Sequence, residues 1–202
     1  LAGELSHGRN VPQNARYIGP ISRMDPAKAI APKEPYRIVC VISGPEPQRT
    51  LLEEELMKQL PHISGQHLLV RGKPEPVVDE TLGNVRRLGH LGGDALTGAL
   101  FQAQLIVSRT GYTTLMDLAH IGRSALVIPT PGQDEQEYLG ELHARSGRFF
   151  VQAQDRLNIR EVLERGGMKE EMKVKDAKEE RTDSGLEHAL QDLAALIANS
   201  GA

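Results

Sequence analysis

The sequence predicts an α/β domain in which a parallel β-sheet carries helices on both faces. From Tyr36 onward, short apolar runs alternate with longer amphipathic runs, a pattern typical of strands and helices that follow one another along the chain. The short runs are apolar at successive positions, as in Ile38 to Ile42, so both faces of each strand are expected to be buried. With 202 residues the chain is long for one domain and short for two. We therefore expect a single sheet with appended segments.

The first predicted unit is a strand from Arg37 to Ile42, followed by a helix from Thr50 to Leu60 whose leucines recur at helical spacing. The same pattern then repeats along the chain. Further strands are predicted at 67–70, 84–88, 105–108, 124–128 and 149–151, and further helices at 94–103, 114–121, 135–146 and 159–164. Parallel strands need crossover connections, which the intervening helices supply. The expected architecture of residues 36–165 is therefore Rossmann-like.

The flanking segments differ in composition from this predicted domain. Residues 1–35 are rich in proline and start at Leu1 rather than at a methionine, so we expect a linker from which an upstream partner domain has been removed. Residues 166–183 are dense in charges of both signs, and this composition favours a solvated, disordered segment. Residues 184–202 are predicted to form a C-terminal helix that begins with a capping box.

Composition excludes several classes of function. The formal net charge is -3 and the sequence pI is near 6.2, so no electrostatic attraction to nucleic acid is expected. The single cysteine, Cys40, lies within an apolar run, which rules out a disulfide within the chain and fits a reducing compartment. No apolar run approaches the ~20 residues that span a bilayer. These features predict a soluble, cytoplasmic protein.

The common catalytic signatures are missing from the sequence. It contains no G-x-x-x-x-G-K-[ST] phosphate loop, no G-x-G-x-x-G and no G-x-S-x-G, which argues against a P-loop kinase, an NAD enzyme and an α/β-hydrolase. The histidines are scattered without metal-ligand spacing, and no Asp-x-Asp pair is present. We therefore expect neither a metal ion nor a cofactor.

A glycine-containing turn follows the predicted strand that ends near Ser108. Gly111 stands just before a predicted helix, and backbone N–H groups at a helix N-terminus, together with the helix dipole, favour a bound diphosphate. Arg109 could add positive charge, and Thr114 is a further candidate donor contact. In the helix, Asp117 could accept hydrogen bonds from both hydroxyls of a ribose. Alternatively, Thr114 and Asp117 form only a capping box, the commoner role for such a pair.

A proline-rich loop, Pro129 to Glu137, follows the next predicted strand and leads into a helix. The run from Ser108 to Gln136 resembles the donor-binding signature of GT-B glycosyltransferases of family 28, with its Arg-x-Gly loop, acidic residue and proline loop ending in glutamine. The resemblance implies one Rossmann-like half of a GT-B enzyme. It places Thr110 and Gly111 beside the diphosphate and Asp117 on the ribose. It places Gln136 on the donor sugar, with Glu137 at a neighbouring polar position.

Further donor contacts follow from the same resemblance. His90 and Leu91 match the segment whose main chain reads the uracil edge, and Arg23 matches an arginine that reaches the nucleotide, although it could equally be a solvated linker charge. In the loop after the first strand, Ser43 and Gly44 match a phosphate-binding Gly-rich segment. The sequence departs from the family there, since Pro45 has no N–H to donate.

The resemblance implies a nucleotide-sugar donor, UDP-linked, whose hexose or N-acetylhexosamine is transferred to an acceptor hydroxyl without a metal ion. It places the catalytic base in a missing N-terminal acceptor domain, so this chain would hold donor-binding residues and no catalytic ones. It also implies peripheral membrane association of the full-length enzyme. Two alternatives stay open: half of a UDP-sugar 2-epimerase-like enzyme, and a non-catalytic nucleotide-binding or partner-binding domain. Substitution of Asp117 by Asn distinguishes the non-catalytic, capping-only alternative from the two enzymes.

Overall fold

The computed structural model describes residues 1–5, 12, 15, 21–73, 78–165, 190–191 and 193–194. Its centre is one sheet with the strand order β3-β4-β2-β1-β5-β6-β7. All neighbouring strands are parallel except β3 and β4, which are antiparallel. The strands are β1 Ile38–Val41, β2 His67–Val70, β3 Asp79–Leu82, β4 Val85–Leu88, β5 Leu105–Arg109, β6 Leu126–Ile128 and β7 Phe150–Val151.

Helices connect the parallel strands, except between β2 and β4, where the described residues form β3. The α-helices are α1 Gln48–Gln59, α2 Gly93–Gln102, α3 Tyr112–His120, α4 Asp134–Ser146 and α5 Ile159–Glu164. Short 3₁₀ helices form at Gly3–Leu5, Pro26–Lys28, Leu60–His62 and Gln154–Arg156. The predicted strands and helices are thus confirmed, with bounds that shift by at most two residues.

Two hydrophobic clusters cover the two faces of the sheet. One cluster joins α2, α3 and α4 to the sheet through residues such as Leu100, Leu118 and Leu139. The other joins α1 and α5 through residues such as Leu56 and Val162. Successive strand residues alternate between the clusters, because neighbouring side chains of a strand point to opposite faces. This confirms the doubly covered, Rossmann-like sheet.

The segment before the sheet packs against the α2 face. Met24 is buried in the cluster formed by α2, α3 and α4, and the Ile30 N–H donates to the Asp94 carbonyl at 2.9 Å. The Ile30 carbonyl lies so close to Gly98 that a Cβ there would come within 2.0 Å of it. Residues 21–30, predicted as part of a linker, are therefore docked on the domain.

The antiparallel strand β3 was not predicted, since all four of its residues are exposed and no apolar pattern marks it. Residues 166–183 lie outside the described residues. Of the predicted C-terminal helix, the described residues 190, 191, 193 and 194 are helical, and Leu190 and Leu193 are exposed. Within the described part of the chain, no helix is both long and apolar enough to cross a membrane.

Candidate functional site

Three loops meet where the central strands end. The first loop (residues 43–47) follows β1, the second loop (110–111) follows β5, and the third loop (129–133) follows β6. Because β1 pairs with β5 and β5 with β6 in parallel, their carboxyl ends lie at one edge of the sheet. A Cβ added at Gly44 would lie 3.9 Å from the Thr130 hydroxyl. Ligands of open α/β sheets bind at this edge.

The second loop leads directly into the N-terminus of α3. The helix begins at Tyr112 with Gly111 as its N-cap, at φ -63° and ψ 133°, and no described side chain caps it. A Cβ at Gly111 would meet no described atom within 4 Å, so the described residues leave open space beside the N-cap. Thr114 lies inside the first turn, so the alternative of a capping box formed by Thr114 and Asp117 is wrong.

A hydrogen-bond network around Gln136 joins the second loop to the third. The Gln136 side-chain oxygen accepts from the Thr130 N–H at 3.1 Å and from the Thr130 hydroxyl at 2.9 Å. The Thr110 hydroxyl donates to the Gln136 main-chain carbonyl at 2.8 Å. Thr110 and Thr130 are fully buried or nearly so, so these bonds fix the relative position of the two loops.

Arg109 does not supply charge to the surface of the second loop. Its side chain is only 1% exposed and points beneath the loops. The guanidinium donates to the main-chain carbonyl of Gln48 at 2.6 Å and to that of Pro129 at 3.3 Å. The predicted direct contact with a diphosphate is therefore corrected, because the side chain is buried and both terminal nitrogens of the guanidinium donate to main-chain carbonyls. Arg109 instead ties the start of α1 to the third loop.

Asp117 is buried on α3, with 3% of its surface exposed. Its Oδ1 accepts a hydrogen bond of 2.6 Å from the hydroxyl of Ser22. Ser22 belongs to the docked segment 21–30 and lies 95 positions away in the sequence. The contact places the acidic residue of the motif against the segment that also carries Arg23.

Glu46 dominates the first loop. Its carboxylate pairs with Lys73 at 2.6 Å and Arg49 at 2.9 Å, and accepts from the Thr50 N–H and hydroxyl at 3.2 and 2.7 Å. The Lys73 ammonium, with Thr50 and Arg49, holds the pKa of Glu46 well below its usual range. A carboxylate of the chain thus already accepts a hydrogen bond at the N-terminus of α1. No described side chain does so at the N-terminus of α3.

The remaining predicted residues lie around this edge. Ser43 and Gly44 are exposed in the first loop, and Gly44 takes a positive φ of 106°. His90 is exposed and Leu91 half-buried between β4 and α2. Arg23 is exposed beside Ser22, and Glu137 accepts from the Gly132 N–H at 2.8 Å. The described residues include no group of three or more His, Cys, Asp or Glu placed to hold a metal ion.

Sequence reasoning missed three residues of the site. Ser22 had no signal, because its partner is distant in sequence. Thr130 could have been found, since a buried threonine directly after a strand needs a hydrogen-bond partner, and Gln136 follows six positions later. Glu46 could also have been found, because a carboxylate just before a helix is favoured by the helix dipole.

Comparison with known proteins agrees with this fold. A family model described as the glycosyltransferase family 28 C-terminal domain matches residues 93–197. The match covers just over half of the chain and includes the second and third loops. The chain therefore belongs to glycosyltransferase family 28, and its fold is one Rossmann-like half of the GT-B architecture.

Individual relatives match either a short part of the chain or most of it at low sequence identity. A UDP-N-acetylglucosamine--N-acetylmuramyl-(pentapeptide) pyrophosphoryl-undecaprenol N-acetylglucosamine transferase of Syntrophotalea carbinolica is 39% identical over 66 residues, covering 32% of this chain and 18% of that protein. The solved glycosyltransferase SnogD from Streptomyces nogalater is 18% identical, with a TM-score of 0.60 over 82% of this chain and 44% of that one. The spinosyn forosaminyltransferase SpnP is 18% identical, with a TM-score of 0.55 over 87% of this chain and 48% of that one. The chain thus spans less than half the length of each.

Proposed function

We propose that this chain binds the nucleotide-sugar donor of a glycosyltransferase, with UDP as the nucleotide. The complete enzyme would transfer a hexose or N-acetylhexosamine to an acceptor hydroxyl. The observation that carries the proposal is the open, uncapped N-terminus of α3 at Gly111, which lies at the sheet edge where such ligands bind. Membership of glycosyltransferase family 28 supports the same function.

The diphosphate is assigned to the N-terminus of α3. The first turn of a helix leaves N–H groups without intrahelical acceptors, and the helix dipole adds about half a positive charge there. No side chain of the described residues caps α3, so these groups are available to an anion. The N-terminus of α1 is the weaker candidate, because the Glu46 carboxylate already accepts from the Thr50 N–H and would repel a phosphate.

The ribose and the sugar are assigned to side chains on either side of this turn. Asp117, on α3, is the acceptor for the ribose hydroxyls. Gln136, on α4, is the donor to a sugar hydroxyl: its amide nitrogen gives one hydrogen to Gln133 at 2.5 Å and carries a second. The side-chain oxygen of Gln136 is held by Thr130, which fixes the direction of the amide. His90, Leu91 and Arg23 complete the proposed contacts to base and nucleotide.

The transfer step follows from this placement. As the acceptor oxygen attacks the anomeric carbon, the bond from that carbon to the diphosphate oxygen breaks, and its electron pair leaves with UDP. The N–H groups and dipole at α3 stabilise the departing charge without a metal ion or cofactor. The general base that takes the acceptor proton is assigned to a second, acceptor-binding domain, so this chain alone binds donor and does not catalyse transfer.

A methyl group at the N-cap of α3 tests the assignment. Gly111→Ala keeps an ordinary backbone conformation, since φ is -63°, and its Cβ meets open space, so the fold should survive. The methyl would occupy the approach to the N–H groups, and we expect UDP to bind about tenfold more weakly, ~1.4 kcal/mol, by calorimetry.

Gly92→Ala is the matched control. Gly92 is the N-cap of α2 at φ -63°, also without a side-chain cap and with nothing within 4 Å of a Cβ. Both substitutions carry the same small helix-capping cost, so only the position relative to the ligand differs. Equal UDP affinity in the two variants would refute the diphosphate assignment.

A further inference from the structure

The Ser22 hydroxyl takes part in two hydrogen bonds, as the donor in one and the acceptor in the other. It donates to Asp117 Oδ1 at 2.6 Å, and its oxygen accepts from the Met24 N–H at 3.0 Å. The hydroxyl is the donor in one bond and the acceptor in the other, so each of the two hydrogen bonds strengthens the other. The hydrogen on Ser22 is therefore committed to the carboxylate.

The position of Ser22 is set by the packing of its segment. Met24, two residues on, is 6% exposed within the cluster of α2, α3 and α4. Asp25 accepts from the Ala27 N–H at 2.9 Å and so fixes the following turn. Ile30 is held by the Asp94 carbonyl on α2. The contact with Asp117 is thus made by an anchored residue, not by a loose chain.

The two oxygens of Asp117 have different surroundings. Oδ1 is held by Ser22, whereas no described residue donates a hydrogen bond to Oδ2. A buried carboxylate normally has several hydrogen bonds, since each oxygen can accept two. Oδ2 is therefore the atom left to accept from a ligand hydroxyl.

We propose that Ser22 is a positioning residue for the ribose of the donor, acting through Asp117. This inference rests on the proposed donor-binding function. By holding Oδ1, Ser22 fixes the rotation of the carboxylate and directs Oδ2 at the ribose hydroxyls. It also joins the segment carrying Arg23 to the ribose site, so the same contact couples the segment before the sheet to the donor.

The ratio of the affinities for UDP and 2′-deoxy-UDP tests this role. If Ser22 only stabilised the fold, its substitution would not change that ratio. Calorimetric titration with UDP and with 2′-deoxy-UDP is expected to show that the wild-type chain prefers UDP. In Ser22→Ala the carboxylate is free to rotate, and we expect the preference for UDP to fall by about threefold or more. Ser22→Thr keeps the hydroxyl and should retain the wild-type preference.

Ser124→Ala is the matched control for loss of a part-buried serine hydroxyl. The Ser124 hydroxyl donates to the Arg148 carbonyl at 2.6 Å, before β6 and hence at the opposite end of the strand from the third loop. Ser124→Ala should lower the free energy of unfolding without changing the ratio of the affinities for UDP and 2′-deoxy-UDP. Circular dichroism of all variants verifies that each is folded.

Each other outcome has a distinct meaning. An unchanged ratio in Ser22→Ala would overturn the positioning role, and tighter UDP binding in that variant would overturn it by showing that Ser22 competes with the ribose. If the wild-type chain binds both nucleotides but without preference, the ribose role of Asp117 and Ser22 fails while donor binding stands. If it binds neither, the proposed function fails and the inference falls with it.

Discussion

Two polar side chains, the buried Arg109 and the half-buried Gln136, hold the loops of the site in place. Arg109 joins the start of α1 to the third loop through carbonyl oxygens, and Gln136 joins the second loop to the third. Burial lowers the pKa of Arg109 to about 10, which is still well above neutrality, so the guanidinium is charged at pH 7. The geometry of the site therefore depends on Arg109, whose hydrogen bonds are made within the protein, and on Gln136, the proposed contact to the donor sugar.

Arg109→Met tests this role. The substitution keeps much of the side-chain volume but removes the guanidinium hydrogen bonds to the carbonyls of Gln48 and Pro129, and we expect a loss of about 1–3 kcal/mol in the free energy of unfolding. Urea denaturation followed by circular dichroism measures it. Arg145→Met is the control, since the Arg145 side chain is 80% exposed and pairs with Glu141 on the surface of α4; there the loss should be within about 0.5 kcal/mol. Equal losses of unfolding free energy in the two variants would show that the hydrogen bonds of Arg109 do not stabilise the fold.

The residues of the site were predictable from sequence only where the signal was local. Gly111 could be placed at a helix N-terminus because the strand, the glycine and the helix follow one another. The inward direction of Arg109 could not be predicted, because its acceptors, including the Gln48 carbonyl 61 positions away, come from other loops. The bond from Ser22 to Asp117 likewise depends on tertiary packing.

At the scale of elements, apolar strands and amphipathic helices were predictable because burial on both faces of the sheet imposes their pattern. The exception is β3, which is stabilised by charge pairs across the antiparallel ladder, Asp79 with Arg86 and Glu80 with Arg87, and carries no apolar signal. Gly83 and Asn84 form the two-residue turn between β3 and β4. That glycine–asparagine pair was the available sign of a hairpin.

The docking of residues 21–30 on α2 depends on a close approach of the Ile30 carbonyl to Gly98. Gly98→Ala would place a Cβ within 2.0 Å of the Ile30 carbonyl, a backbone atom with little freedom to move. We expect the segment to be displaced, with a loss of about 1–3 kcal/mol in the free energy of unfolding. Trypsin should then cleave faster at Arg23, Lys28 and Lys33, as followed by mass spectrometry.

Gly93→Ala on the same helix is the control, because its Cβ would meet nothing within 4 Å. It should leave both the unfolding free energy and the cleavage pattern close to wild type. If Gly98→Ala were cleaved no faster than Gly93→Ala, residues 21–30 would not be docked as the structure shows, and the position of Ser22 would lose its support.

At the scale of the whole molecule, one sheet edge gathers the loops after β1, β5 and β6, while both faces are used for packing. The chain has the fold of one half of a GT-B enzyme and spans 44% and 48% of two solved relatives. In the proposed account the acceptor is bound by a second domain of the complete enzyme, so donor binding and transfer are separable activities. Donor binding is the part that this chain should perform.

Calorimetric titration of the 202-residue chain with UDP, GDP and dTDP, each in the presence of a metal chelator, tests that claim most directly. The account predicts saturable binding of UDP that the chelator does not abolish, with GDP and dTDP binding at least about tenfold more weakly. Absence of saturable binding for all three nucleotides, or equal binding of all three, would contradict it.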